Sequence, residues 1–194
     1  MGWAAFSADS AICSPACEPR LPGTVNPVTH LQVRRARTSD IPAIQSLVEP
    51  LAQRRILLGK DRVTLYEAVQ EFRIAEEDGV PVGCGALHVM WEDLGEVRTL
   101  AVRDDRLGTG VGHAILERIE ADARELGLTR LFCLTFETEF FGRHGFEPIG
   151  ERVVDPEVFA QLALSPDEGV AEFLDLARVK QNTLGNTRML KQLS

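Results

Sequence analysis

The stretch from Leu100 to Gly112, LAVRDDRLGTGVG, decides the fold. It has the pattern of an apolar strand end, a polar loop and a glycine-rich turn that opens an amphipathic helix. Glycines let the backbone approach an anion closely, and the amino end of a helix carries free N–H groups and partial positive charge. The stretch therefore predicts a site for a pyrophosphate group, with a plain strand-to-helix turn as the alternative.

Two other phosphate-binding motifs do not fit these glycines. No Lys-Ser or Lys-Thr pair follows them, as a Walker loop requires, and the dinucleotide pattern G-x-G-x-x-G fails at His113 or Ile115. The sequence therefore excludes both nucleotide-binding classes.

Apolar periodicity on both sides of this stretch predicts one mixed α/β domain. Helices are expected to start after Ser39 or Asp40 and near Thr64, and then to cover about 108–126, 137–144 and 156–164. Strands are expected at 33–37, 72–76, 80–91, 96–102, 130–135 and 188–193, with a hairpin at Asp78-Gly79. The order β-α-α-β-β-β-α-β-α-β describes a mixed sheet with helices on its faces.

Composition limits the domain organisation, the partners and the compartment. Residues 1–30 are rich in proline and are expected to form a flexible leader before a single domain at 31–194. A formal net charge of −8 argues against a nucleic-acid-binding surface. No apolar stretch is long enough to cross a bilayer, so we expect no membrane contact and a cytoplasmic location.

The four cysteines predict no metal site. Cys84 and Cys133 lie in apolar runs, where a thiol usually behaves as a small buried hydrophobe. Cys13 and Cys17 have poor spacing for zinc ligands and no histidine nearby. Cys133 is a conceivable nucleophile, but apolar surroundings disfavour its thiolate.

The strand, loop and helix of the opening stretch resemble motif A of the GNAT superfamily of acetyltransferases, written Q/R-x-x-G-x-G/A. That motif cradles the pyrophosphate of coenzyme A, so the resemblance implies acetyl-CoA as cosubstrate. Here Leu107 stands at the leading Q/R position and Arg106 is one residue early, so affinity must depend on backbone amides. The resemblance assigns coenzyme contacts to Leu100, Ala101, Val102, Leu107, Gly108, Thr109, Gly110, Val111, Gly112 and His113.

A second element resembles a later GNAT motif, F-Y-x-x-x-G-F, in the run from Phe140 to Phe146. The tyrosine that often acts there as general acid is Phe141, and the only tyrosine of the chain is Tyr66. The sequence therefore excludes protonation of the leaving thiolate by a tyrosine at that position.

A closer resemblance covers residues 33–193. The runs VRRARTSDIPAIQSLV, LYEAVQEF, GCGALHV, LGEVRTLAV, LTRLFCLTFETEFFGRHGF and KQNTLGNTRMLK resemble short, stand-alone amino-acid N-acetyltransferases that make N-acetylglutamate for arginine synthesis. This implies transfer of acetyl to the α-amine of glutamate or glutamine. Such enzymes often carry an amino-acid-kinase domain, for which this chain has no room, so we expect no arginine feedback through one.

Glu96 is the candidate general base, because it is a carboxylate at the start of an apolar central strand. A solvated carboxylate at the strand end is the alternative. The amine would attack the thioester directly, and the resemblance implies a main-chain N–H near Leu100 or Ala101 as the oxyanion donor.

An amino-acid acceptor needs cations for its carboxylates. Lys60, Arg98 and Arg188, the last with Asn186, are the candidates, although each could be an ordinary surface charge. Alternation along the strand is expected to place the side chains of Glu96, Arg98 and Leu100 together. His88, His113 and His144 are scattered over different elements, so we expect packing or capping roles for them.

Three assignments remain open in the sequence. The acceptor could be another small amine or a protein N-terminus, with the same fold. The domain could also be a catalytically silent acyl-CoA-binding regulatory module, since the motif Q/R and the tyrosine are missing. A homodimer is one assembly that the sequence leaves open.

Overall fold

The computed structural model describes residues 30–57, 59–150, 154–176 and 186–193. Residues 1–29 of the expected leader, together with Cys13 and Cys17, lie outside these ranges. None of the helices in the described part of the chain has the length and apolar character that a membrane span requires.

Seven strands form one mixed sheet in the order β1-β2-β3-β4-β5-β7-β6. Strands β4 and β5 are parallel, and the other neighbours are antiparallel. This confirms the expected α/β fold class with helices on both faces of a mixed sheet. The strands are β1 (Leu31–Arg35), β2 (Phe72–Glu77), β3 (Val80–Val89), β4 (Leu94–Val102), β5 (Arg130–Thr135), β6 (Glu147–Pro148) and β7 (Thr187–Gln192).

Helices cover both faces of this sheet. Helix α3 packs on one face, α1 and α2 pack on part of the other, and α5 and α6 cover the remainder of that second face. The helices are α1 (Ile41–Gln53), α2 (Arg62–Glu67), α3 (Val111–Glu125), α4 (Thr138–Arg143), α5 (Pro156–Leu162) and α6 (Glu168–Phe173).

Local turn chemistry behaves as the sequence predicted. Asp78 and Gly79 both have positive φ, 50° and 79°, which suits the tight turn between antiparallel strands. Gly127, at φ 85°, follows the end of α3, and Gly145, at φ 82°, follows the end of α4.

Several details differ from the sequence expectation. Proline at position 50 predicts that helix α1 ends or bends there, and the helix continues to Gln53. The helical period of α3 predicts Leu126 inward and Glu120 outward, but Leu126 is 61% exposed, and Glu120 is buried and accepts from Lys191 Nζ at 2.5 Å. Strand β6 and helix α6 were not predicted, since two and six residues are too short for a clear period.

A bulge in the central strand β4 changes which side chains share a face. Cys84 of β3 pairs with Ala101 and Ala86 pairs with Arg98, so two residues of β4 stand opposite one of β3. Thr99 takes φ 58°, which is rare for a β-branched residue.

The bulge contradicts the expectation that Leu100 lies beside Glu96 and Arg98. Leu100 packs with the α3 cluster, and a Cβ added at Gly85 would lie 2.8 Å from Ile115 and 3.1 Å from Leu100. Glu96 and Arg98 face the other side of the sheet, where α6 lies. Side chains do not alternate regularly between the two faces along β4, because the extra residue of the bulge moves every later side chain to the opposite face.

We expect Leu116→Ala to lower the free energy of unfolding by about 2–5 kcal/mol, because Leu116 is fully buried under the sheet and its truncation leaves a cavity. Leu126→Ala is the matched control, since its exposed side chain should change stability by about 0.5 kcal/mol or less. Urea denaturation measures both, and equal effects would contradict this core assignment.

Candidate active site

The glycine-rich loop has the backbone geometry of an anion cradle. Gly108 and Gly110 take φ 75° and 92°, and a Cβ added at either would have no atom within 4 Å. Gly110 is the N-cap of the 15-residue helix α3, so the free N–H groups of the first turn lie directly after the loop. Leu107 is 63% exposed, and Thr109 Oγ1 donates to the Arg106 carbonyl at 2.7 Å.

Arg106 does not replace the missing motif residue. Its Nε donates to Glu77 at 2.6 Å, and its Nη1 lies 3.3 Å from Asp105. This ion pairing turns the guanidinium towards the end of β2, so the loop offers backbone amides and no cation from that position.

Strands β4 and β5 separate beside this loop. Their parallel pairing runs from Leu94 with Arg130 to Glu96 with Phe132, and β4 then continues to Val102 without a further paired residue in the described part of β5. The facing edges of the two strands are therefore unpaired after Glu96 on the side of the glycine loop, and this unpaired interval is called the cleft.

Glu96 lies at the inner end of this cleft. It is 5% exposed, and its Oε2 is buried with no hydrogen-bond partner among the described residues. Burial raises the pKa of Glu96 to about 7, with Asp167 adding to the effect and Arg98, His88 and Lys60 opposing it. A carboxylate with this pKa can accept a proton near neutrality.

Arg98 is bonded to carboxylates of the chain itself. Its Nη2 donates to Glu71 at 2.9 Å and its Nη1 to Asp167 at 2.9 Å, while Nη1 lies 3.7 Å from Glu96 Oε2. These bonds hold the pKa of Glu71 and of Asp167 below their ordinary values even though burial opposes the shift. Two of the five N–H donors of the guanidinium that the sequence assigned to an acceptor carboxylate therefore bond carboxylates of the chain itself.

His88 belongs to the same cluster. Its Nδ1 lies 2.9 Å from Glu71 and its Nε2 lies 3.9 Å from Asp167. The sequence missed Glu71, Asp167 and this role of His88, because the three side chains come from separate elements. Asp167 had a signal, since an aspartate before a short apolar run is a helix N-cap, and its side chain does accept from Val170 N.

Arg188 fixes the other end of α6. Its Nη1 donates to the Phe173 carbonyl at 3.3 Å and its Nη2 to the Gly150 carbonyl at 3.1 Å. The helix is therefore held at its N-cap by Arg98 and at its carboxyl end by Arg188. Both arginines that the sequence placed at the acceptor hold this helix against the sheet.

Lys60 and Asn186 remain open towards a ligand. Lys60 has no hydrogen bond or ion pair to any described residue, yet its charge acts on Glu96. Asn186 Oδ1 is buried without a hydrogen-bond partner within the same described ranges. A buried polar atom without a partner costs free energy, so both Asn186 Oδ1 and Glu96 Oε2 are suited to a bound polar group.

The aromatic motif after β5 forms part of the core. Phe141 is 5% exposed and makes edge contacts with Phe140 and Phe146 at ring-centroid distances of 5.2 Å. Tyr66 lies on α2 and is 43% exposed. Burial raises the pKa of the Cys133 thiol far above its usual range, with Glu96 adding to the effect, which disfavours a thiolate nucleophile.

His113 and His144 are not scattered, as the sequence suggested, but in contact. His113 Nδ1 lies 2.6 Å from His144 Nε2, His144 Nδ1 lies 2.8 Å from the Phe140 carbonyl, and His113 Nε2 lies 3.0 Å from Glu117. Both outer partners only accept, so the two outer ring nitrogens are the donors of these contacts. The histidine pair therefore joins the first turn of α3 to the end of α4.

No group of three or more His, Cys, Asp or Glu side chains suited to a metal ion occurs in the described part of the chain.

Known proteins match both the sequence and the fold. The family model described as Acetyltransferase (GNAT) family matches residues 44–146. The amino-acid acetyltransferase of Mycobacterium tuberculosis is 60% identical over 161 residues, 81% of this chain and 92% of that protein. The amino-acid acetyltransferase of Azotobacter vinelandii is 40% identical over 121 residues, which are 61% of this chain but 28% of that longer protein.

Solved structures give the same result. A crystal structure of the Mycobacterium tuberculosis protein Rv2747 in complex with CoA and NLQ has a TM-score of 0.81 and 59% identity, and the match covers 84% of this chain and 99% of that one. N-acetylglutamate synthase from Neisseria gonorrhoeae, complexed with coenzyme A and N-acetyl-glutamate, has a TM-score of 0.68 and 29% identity, and the match covers 85% of this chain and 35% of that one. The predicted fold and family are confirmed, and the chain belongs to the GNAT family of acetyltransferases.

Proposed function

We propose that the protein transfers the acetyl group of acetyl-CoA to the α-amine of glutamate or glutamine, the first step of arginine biosynthesis. The observation that carries this proposal is Glu96, a buried carboxylate with a pKa near 7 and an unpartnered oxygen at the inner end of the cleft. The names of the relatives, amino-acid acetyltransferase and N-acetylglutamate synthase, support an amino acid as the acceptor.

The glycine loop would hold the pyrophosphate of the coenzyme. The open space at Gly108 and Gly110 and the free amides of the first turn of α3 fit an anion without steric conflict. His113, in the first turn of α3, lies in contact with His144 beside these amides. The coenzyme contacts we propose are those that the motif resemblance assigned, from Leu100 to Val102 and from Leu107 to His113.

Glu96 would take the proton from the acceptor ammonium. An α-amine has a pKa of about 8 or more, so an ordinary glutamate with a pKa of about 4.3 would take that proton at a cost of at least about 5 kcal/mol. A pKa near 7 reduces this cost by about 3–4 kcal/mol. Burial therefore makes Glu96 an effective base near neutral pH, either directly or through a water molecule.

Lys60 and Asn186 are the acceptor contacts that we favour. Lys60 supplies a cation that the chain leaves unpaired within its described part, and Asn186 supplies a buried amide oxygen. Arg98 and Arg188 would act on the acceptor through helix α6, since their terminal nitrogens are bonded to the chain.

Direct attack of the amine on the thioester fits these side chains better than an acyl-enzyme. The thiol of Cys133, whose pKa is affected by Glu96, is buried on the opposite, α3 side of the sheet and has a raised pKa. Main-chain N–H groups near Leu100 or Ala101, on the part of β4 that is unpaired with β5, would stabilise the developing oxyanion. Acetyl-CoA supplies the activated acyl group, and its thiol leaves as a thiolate more readily than an alcohol would leave as an alkoxide because a thiol is much more acidic.

An acceptor screen tests the proposed function. We expect release of free coenzyme A thiol from acetyl-CoA to depend on glutamate or glutamine, with little release when other common amino acids are supplied. Dependence on another small amine or on a peptide N-terminus would replace the acceptor assignment. Binding of acetyl-CoA, measured by calorimetry, with no release for any acceptor would indicate a silent regulatory module.

Glu96→Gln should lower kcat by roughly 10²–10⁴-fold and leave the dissociation constant of acetyl-CoA within about twofold, because the amide cannot accept the proton. In the wild-type enzyme kcat/KM should fall about tenfold per pH unit below about pH 7, since the protonated carboxyl is no longer a base. In Glu96→Gln, the pH below which kcat/KM falls should rise to the pKa of the acceptor amine. Unchanged turnover would remove Glu96 from the base role.

Gly110→Glu should raise the dissociation constant of acetyl-CoA by at least about tenfold, because a side chain and a negative charge would enter the place of the pyrophosphate. Gly127→Glu is the matched control, since Gly127 has a similar φ of 85° and equally open space at the far end of α3. Calorimetry should find normal affinity for the control. Equal affinities of the two variants would contradict the loop assignment.

A further inference from the structure

Gly169 lies directly over the carboxyl group of Glu96. A Cβ added at Gly169 would stand 2.4 Å from Glu96 Oε2 and 2.9 Å from both Cδ and Oε1. Real Cβ atoms essentially never approach other atoms so closely, so any side chain at this position would force either Glu96 or helix α6 to move. Only glycine allows the first turn of α6 to cover the carboxyl.

The position of this turn is fixed from both ends. Asp167, the N-cap of α6, accepts from Val170 N at 3.1 Å and from Arg98 Nη1 at 2.9 Å. At the other end, Arg188 donates to the Phe173 carbonyl at 3.3 Å. In addition, Val170 and Phe173 are buried in the cluster that joins α6 to Leu94 and Phe132 of the sheet. The contact between Gly169 and Glu96 is therefore a constrained part of the fold.

The titratable and charged groups around Glu96 come from five elements. They are Lys60 from the loop before α2, His88 from β3, Arg98 from β4, Cys133 from β5 and Asp167 from α6. Glu71, in the turn before β2, is bonded to both His88 and Arg98. Arg98 is hydrogen-bonded to two carboxylates other than Glu96. Its charge therefore lowers the pKa of Glu96 by less than the exclusion of water raises it.

We propose that Gly169 is a positioning residue of the reaction: the first turn of α6, held by Arg98 and Arg188, covers the carboxyl of Glu96 and keeps water from it. This inference rests on the proposed role of Glu96 as the base. It assigns to the clamped helix α6 the control of the basicity of Glu96, which the comparisons with known proteins do not address. Burial as the largest cause of the raised pKa of Glu96 supports it.

The test is the titration of the Glu96 carboxyl in Gly169→Ala. Carbon-13 NMR of protein labelled at glutamate side chains follows the carboxyl signal with pH, and the spectrum of Glu96→Gln identifies it. We expect the midpoint to fall from about 7 by at least one pH unit, because the displaced turn admits water. The acidic limb of kcat/KM should move down by the same amount, and kcat should fall roughly tenfold or more because the base is displaced.

Gly150→Ala is the matched control, since a Cβ added there meets no atom within 4 Å. It should retain the wild-type titration and pH profile. If Gly169→Ala does not fold, as judged by circular dichroism, Arg188→Gln replaces it. That change releases the carboxyl end of α6 without removing a charge that acts directly on Glu96, and a smaller shift in the same direction is expected.

A merely structural role for Gly169 would lower activity or stability without moving the carboxyl titration, and that result would overturn the inference. The NMR titration needs no acceptor and no turnover, so it separates the two proposals. Full turnover by Glu96→Gln would refute the base assignment, whereas a wild-type titration midpoint in Gly169→Ala would refute only the role of Gly169.

Discussion

The bulge at Thr99 is the constraint on which both halves of the candidate site depend. Before it, Glu96 and Arg98 face the side of the sheet covered by α6; after it, Leu100 faces α3. Glu96, for which we propose the role of proton acceptor, and Leu100, which packs with α3, therefore lie on opposite sides of the sheet. Without the extra residue, Leu100 would point towards the polar cluster and Ala101 into the α3 core.

Electrostatic balance in the polar cluster determines which groups are free to react. Arg98 is paired with Glu71 and Asp167, whose pKa values are held low, so both of these carboxyls remain charged. Glu96 receives no direct hydrogen bond on Oε2, and its pKa rises instead. Burying a charge in a medium of low dielectric constant is costly unless the charge is paired. Arg98 pairs with Glu71 and Asp167, so Glu96 is the buried carboxyl of this cluster whose Oε2 has no hydrogen-bond partner among the described residues.

The two parts of the site use different kinds of chemistry. The proposed coenzyme side consists of main-chain amides and positive-φ glycines, which need few specific side chains. The acceptor side that we propose consists of individual side chains from distant elements, among them Lys60, Glu96 and Asn186. Recognition by main-chain amides requires several glycines in one short loop, so it is visible as a motif in the sequence. Recognition by side chains from distant elements is visible only as isolated polar residues.

The sequence by itself determined the α/β order, the hairpin at Asp78-Gly79, the glycine loop and Glu96 as the outstanding polar residue of the central strand. These features are local, because turn chemistry, apolar period and helix capping act over a few residues. Only the tertiary structure decided that Arg98 and Arg188 clamp α6, that Leu100 faces away from Glu96, and that Gly169 covers the carboxyl. These outcomes depend on a bulge and on contacts between residues distant in the chain, which no local pattern encodes.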